Sequence, residues 1–132
     1  MKIPIIIKIL LIKENHKIKE MKKKLAVPTD NGVLAQHFGH SPEFVFFDIE
    51  DNKIIKEHHV PPPPHTEGSI PTWLANEGAT DILTGGIGPK AIEILYANNI
   101  NVYVGVEIDE PVNLAMDFVN GNLKFGQNYC HH

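Results

Sequence analysis

Apolar and polar positions along this chain fall into short blocks whose period changes twice. Leu25-Ala26-Val27-Pro28 is a compact apolar block closed by Thr29-Asp30-Asn31-Gly32, the pattern of a short strand running into a turn. From Glu43 to Glu50, Phe44, Val45, Phe46 and Phe47 are apolar on both sides of the chain, as in a strand covered on both faces. Asp51-Asn52 interrupts the block and Lys53 to Val60 returns as a second strand, which predicts an antiparallel hairpin. Pro61 to Pro64 cannot continue a ladder, because proline has no N–H to donate.

Beyond the prolines the period becomes helical. Ser69 reads as an N-cap for a helix over Ile70 to Glu77 that Gly78 stops. Asp81-Ile82-Leu83-Thr84 is a short buried strand. Gly85-Gly86-Ile87-Gly88-Pro89 then leads into a helix from Lys90 to Asn98 with Ala91, Ile92 and Leu95 on its inner face. Ile100 to Val106 is a further strand. Glu110-Pro111 opens a third helix, with Val112, Ala115, Met116 and Val119 at helical spacing and Gly121 at its end. An antiparallel hairpin followed by two strand–helix units predicts an α/β fold: a three-layer α/β/α sandwich around a mixed, five-stranded sheet. In such sheets ligands gather at the carboxyl ends of the parallel strands.

Composition adds limits. The 132 residues suffice for one domain with a single sizeable core. Residues 1–22 stand apart as an N-terminal extension, so the expected domain is 23–132. The extension's apolar run Ile3 to Ile12 is interrupted by Pro4 and Lys8 and is shorter than the ~20 residues a bilayer crossing needs. A single cysteine, Cys130, excludes an internal disulfide and predicts a cytoplasmic protein. All twelve positive charges are lysines. Residues 1–24 carry a net +6 and residues 25–132 a net −10, so the body is acidic and a nucleic-acid footprint on it is not expected.

Candidate chemistry concentrates in Gln36-His37-Phe38-Gly39-His40-Ser41-Pro42, a loop between strand-like segments. Histidine is the commonest metal ligand, and imidazole suits iron, zinc, copper and nickel. His37 and His40 are therefore candidate ligands, with Gly39 supplying backbone freedom. His65, in the loop before the first helix, is a further candidate. His58 and His59 are adjacent on a strand and point to opposite faces, so they read as ordinary strand residues. Cys130 beside His131 and His132 offers a soft thiolate suited to iron–sulfur clusters, zinc or copper(I). Gly85-Gly86-Ile87-Gly88 resembles a phosphate cradle but lacks the dinucleotide and P-loop spacings. Close helix–sheet packing is the plainer reason for its glycines. Neither a nucleophile backed by a rigid element nor a pair of acid–base carboxylates is evident.

From Lys23 onward the chain resembles the dinitrogenase iron–molybdenum cofactor biosynthesis family. The resemblance rests on Leu25-Ala26-Val27-Pro28, His37-Phe38-Gly39, Phe44-Val45-Phe46-Phe47-Asp48 and Thr84-Gly85-Gly86-Ile87-Gly88-Pro89-Lys90-Ala91. Asn99-Ile100-Asn101-Val102-Tyr103 and Asn120-Gly121-Asn122-Leu123 follow in order. It implies a ribonuclease-H-like fold and a small stand-alone member similar to the cofactor-carrier domains of nitrogenase accessory proteins. It also implies an iron–sulfur or iron–molybdenum-type cluster held through the histidine of the His-Phe-Gly loop.

Residues and resemblance together predict a non-enzymatic protein that binds or transiently carries such a cluster, or else a transition-metal ion. His37 is the main expected ligand, with His40, His65 and Cys130 assisting; Phe38, Gly39, Gly86 and Gly88 complete the expected cofactor site. A cluster-assembly or recipient protein is the expected partner, with no nucleic acid and no membrane, and the expected state is a monomer or weak dimer. The competing expectation is a metal-free interaction module that docks its acidic face on a cluster-assembly enzyme.

Overall fold

The structure, a computed structural model, describes residues 22–126. The expected extension, apart from Lys22, and the Cys130 tail lie outside the described residues. Six strands form one mixed sheet: β1 (Lys22–Asp30), β2 (Val33–Leu34), β3 (Glu43–Glu50), β4 (Lys53–Val60), β5 (Asp81–Leu83) and β6 (Asn101–Tyr103). The order is β4-β3-β1-β5-β6, with β2 paired to β1 off that path. The hairpin β3–β4 is antiparallel, β3 is antiparallel to β1, and β1, β5 and β6 run parallel. Three helices follow the hairpin: α1 (Ser69–Asn76), α2 (Pro89–Ala97) and α3 (Pro111–Asn120).

The sixth strand corrects the expected five. Asn31 and Gly32 have φ of 54° and 82°, the pair of positive values that a type I′ turn requires. The chain therefore folds back at once, with Thr29 opposite Leu34 and Asp30 opposite Val33. Asp51 and Asn52 (φ 52° and 61°) make the same turn between β3 and β4. Strand β1 also begins earlier than the apolar block, because Lys22, Lys23 and Lys24 pair with Glu50, Ile49 and Asp48. Their stems lie along apolar surface: the Lys23 ammonium sits 5.4 Å from the Phe118 ring and Lys24 the same distance from Phe46.

Alternation along β1 and β3 sends the core to both faces. Leu25, Val27, Val45, Phe47 and Ile49 join Leu114 and Ala115 of α3. Ala26, Phe44 and Phe46 join Ile70, Leu74 and Leu95 of α1 and α2. Each fully buried side chain of this size contributes roughly 1.5–3 kcal/mol, so β3, with Phe44 and Phe47 at 0% exposure and Phe46 at 2%, anchors both layers. The inner face of α3 is rotated from the expected one. Leu114 and Ala115 are buried and Phe118 and Val119 pack against the core, whereas Val112 and Met116 remain 44% and 49% exposed. Ser69 is likewise not the N-cap: Gly68 (φ 75°) takes that place. The Ser69 hydroxyl turns back to the Thr66 and Pro64 carbonyls at 2.8 and 3.1 Å. Among the described residues no helix is long and apolar enough to cross a membrane.

Candidate functional site

Two loops meet at the carboxyl edge of β1 and β5. The first leaves β2 and makes a single 3-10 turn over Phe38–His40. Its middle is pinned by Phe38, which is buried and stands edge-on to Phe44 with ring centroids 5.9 Å apart. Its far end is pinned by Ser41, whose buried hydroxyl reaches the Thr29 carbonyl at 2.9 Å and the Glu43 carbonyl at 2.6 Å. With Phe38 turned inward, His37 and His40 on either side of it are exposed. Their rings lie 6.1 Å apart, edge to face.

The second loop, Gly85 to Gly88, runs beside the first as a short parallel bridge between His37 and Gly86. The Gly86 N–H donates to the Gln36 carbonyl at 2.7 Å, and the Phe38 N–H donates to the Gly86 carbonyl at 2.9 Å. Of these glycines, Gly85 answers to the close approach of the two loops, a reason the sequence does not suggest. A Cβ on Gly85 would stand 2.7 Å from the Gln36 carbonyl oxygen, and one on Gly86 would stand 3.4 Å from both that oxygen and His37 Nδ1. Gly88 has nothing within 4 Å of a Cβ.

Between the loops lies an open cleft of about 390 Å³ lined by His37, Phe38, Gly39, His40, Gly86, Ile87 and Gly88. It gathers every residue of the expected cofactor set, and Ile87 is the one lining residue the sequence reading passed over. The expected metal ligands divide. His37 and His40 line the cleft. His65 arrives from the proline tract on the other side of Gly39, close enough that a Cβ on Gly39 would stand 3.1 Å from His65 Nε2. Its ring is 6.1 Å from that of His40. Cys130 lies outside the described residues.

The donor set suits a soft or borderline metal, since exposed imidazoles offer lone pairs without a carboxylate beside them. Two imidazoles on one tetrahedral ion, at a metal–nitrogen bond of about 2.0–2.1 Å, put their ring centroids about 5 Å apart. The His37–His40 spacing of 6.1 Å is wider than that, and among the described residues no group of three His, Cys, Asp or Glu side chains is arranged to hold a metal ion. As placed, the two imidazoles are separated donors on an open cleft and form no closed chelate among the described residues.

The remaining described histidines are occupied. His58 Nε2 pairs with Asp48 at 3.1 Å. His59 lies between Glu43, 3.0 Å from Nδ1, and Glu57, 2.6 Å from Nε2. The hydrogen bond to Glu57, and then that to Glu43, hold the His59 imidazole above its ordinary pKa. This agrees with their reading as strand residues.

Residues 21–121 match the family described as dinitrogenase iron-molybdenum cofactor. An uncharacterized protein of Methanocaldococcus jannaschii is 36% identical over 115 residues, covering 82% of this chain and 93% of the relative. The crystal structure of PH0822 superposes with a TM-score of 0.76 at 30% identity, over 83% of this chain and 99% of that one. The apo form of the orange protein from Desulfovibrio gigas superposes with a TM-score of 0.66 at 24% identity, over 80% of this chain and 93% of that one. That last likeness is one of fold.

Proposed function

The chain belongs to the dinitrogenase iron-molybdenum cofactor family, and from that premise we propose that it binds and transiently carries a metal–sulfur cluster of the iron–sulfur or iron–molybdenum type, without catalysis of its own. The observation that carries this reading is the pair of exposed imidazoles, His37 and His40, 6.1 Å apart on an open cleft at the carboxyl edge of the parallel strands. A mononuclear ion wants three or four converging ligands. A polynuclear cargo brings its own sulfide ligands and needs only one or two protein donors at separated metal atoms. Few ligands on an open surface also suit release to a recipient protein. His37, fixed by its backbone bridge to Gly86, is the main ligand. His40 is the second donor, with His65 and Cys130 as auxiliary ones. The strand order and the helices on both faces support the ribonuclease-H-like arrangement that goes with this family, and the carrier is a cytoplasmic one.

The test is anaerobic titration of the full chain and its His37→Ala variant with a cluster donor, followed by absorption, with thermal melts in parallel. Affinity should fall at least about tenfold, or about 1.4 kcal/mol, with an unchanged melting temperature, because the His37 side chain is exposed. Equal binding by the two proteins removes His37 from the site. Absence of any metal or sulfide uptake by the wild type favours the metal-free docking module.

A further inference from the structure

A second cavity, about 230 Å³, lies on the far side of Gly39 from the imidazole cleft. It shares Phe38, Gly39 and Gly88 with the cleft but has a different chemistry. Its interior is made by Ile70, Ala91 and Ile94, contributed by α1 and α2. Its polar side chains are His65, Thr66, Glu67 and Lys90. Lys90, in the first turn of α2, forms an ion pair with Glu67 across to the loop before α1.

We propose that this cavity is a binding site for a short apolar chain ending in a carboxylate, with the chain among Ile70, Ala91 and Ile94 and the carboxylate on Lys90 and His65. The size sets the class. Drug-sized ligands fill cavities of about 300–1,000 Å³, so a smaller one takes a chain on the order of four to six carbons. The rim sets the charge. Both partners of the Lys90–Glu67 pair are exposed, at 78% and 73%, and exposed pairs of this kind contribute little to stability. An incoming ion therefore displaces one of them readily. Glu67 is the partner free to leave, since it sits in a loop between Thr66 and the positive-φ Gly68, while the Lys90 backbone is held in a helix. An arriving carboxylate meets Lys90, an imidazole N–H of His65 and the positive ends of α1 and α2, whose first turns border the cavity. An arriving ammonium would meet Glu67 and a lone pair of His65, but against those same positive helix ends. Gly68 keeps the inner wall open, because a Cβ there would stand 3.2 Å from Ile94 Cδ1.

The same chemistry is found in a free aliphatic acid and in the C-terminal residue of a protein chain. Methyl-labelled full chain is titrated by NMR with hexanoate, with hexylamine and hexanol as charge controls, and with a pentapeptide ending in Leu. The expected result is saturable shifts of the Ile70, Ala91 and Ile94 methyls with hexanoate, and affinity lowered about tenfold by Lys90→Met. Tighter binding of the peptide than of hexanoate assigns the carboxylate to a protein C-terminus; the reverse assigns it to a free acid. His37 lines the cleft and not the cavity, so His37→Ala should bind hexanoate as the wild type does, and Lys90→Met should take up a cluster as the wild type does. The failure of one reading is thereby told from the failure of the other. Ala91→Leu, which fills the interior, should abolish the shifts. Hexylamine or hexanol binding as well as hexanoate, shifts at other methyls, or an unaffected Lys90→Met overturns the assignment.

Discussion

Five histidines lie among the described residues, and they divide into two groups with opposite surroundings. On the edge strand β4, His58 and His59 are each bound by carboxylates of their own hairpin, at 2.6–3.1 Å. At the carboxyl edge of the parallel strands, the side chains of His37, His40 and His65 have no hydrogen-bond partner among the described residues. The residue type is the same, and what differs is the neighbourhood. Side chains on one face of a strand pair lie within reach along the diagonal: His58, opposite Phe46, meets Asp48, and His59, opposite Val45, meets Glu43 diagonally and Glu57 two residues back on its own strand. A loop held by backbone bonds and one buried phenylalanine leaves its imidazoles to the solvent and to whatever arrives. A ring nitrogen that accepts nothing from the protein is a lone pair available to a metal; one already engaged by a carboxylate is spoken for.

The contrast breaks most completely if the free group loses its platform. Gly85→Ala drives a Cβ to 2.7 Å from a backbone carbonyl that cannot step aside, and overpacking of this kind costs about 1–3 kcal/mol. Its melting temperature should fall and cluster binding with it, because the bridge that positions His37 is pushed apart. Gly88→Ala meets nothing within 4 Å and should stay within about 0.5 kcal/mol of the wild type. Calorimetry on the two variants checks this, and equal losses would mean that the loops are not held as described.

The next contrast is between groups. His58→Ala should leave cluster affinity within about twofold of the wild type, against the tenfold loss expected at His37. If His58→Ala weakens binding as much as His37→Ala does, the division between occupied and free histidines has no functional meaning.

Much of this architecture was legible in the sequence, and the misses have physical causes. Phe44 to Phe47 announced a strand buried on both sides, and Asp51-Asn52 announced its turn, because these signals are local. Asn31-Gly32 carries an equally local hairpin signature, yet β2 is only two residues long, too short for an alternating pattern to mark it as a strand. The sequence is ambiguous about the inner face of α3 because Val112 and Met116 repeat at the same spacing as the true inner residues. Only the position of β1 and β3 beneath the helix selects Leu114 and Phe118. The histidine loop stood out by composition. Its contact with Gly85 and Gly86 did not, since a glycine in a strand-to-helix turn has several ordinary reasons to be there. Lys90 and Glu67 gave no signal at all, being 23 residues apart in the chain.

The smallest expected effect concerns the occupied group and its pH dependence. Glu57, and then Glu43, favour the charged imidazolium of His59, so its folded pKa lies above the ordinary 6.5. A group whose pKa is raised on folding stabilises the native state fully below its unfolded value and loses that contribution as pH rises through the folded value. Wild type should therefore melt above His59→Gln at pH 6.5 and below, with the gap closing as pH rises through the elevated His59 value. The effect is modest, because the side chain is half exposed and solvent screens both partners. Asp109 works in a separate window and with the opposite sign. The Asn113 amide and the Glu110 N–H hold its carboxylate below the ordinary 3.8, so its contribution is present above that value and fades only in acid. Thermal melts of wild type and His59→Gln from pH 6.5 upward isolate the histidine. A gap that widens with pH would mean that His59 is neutral in the folded protein and that its carboxylates serve some purpose other than holding a charge.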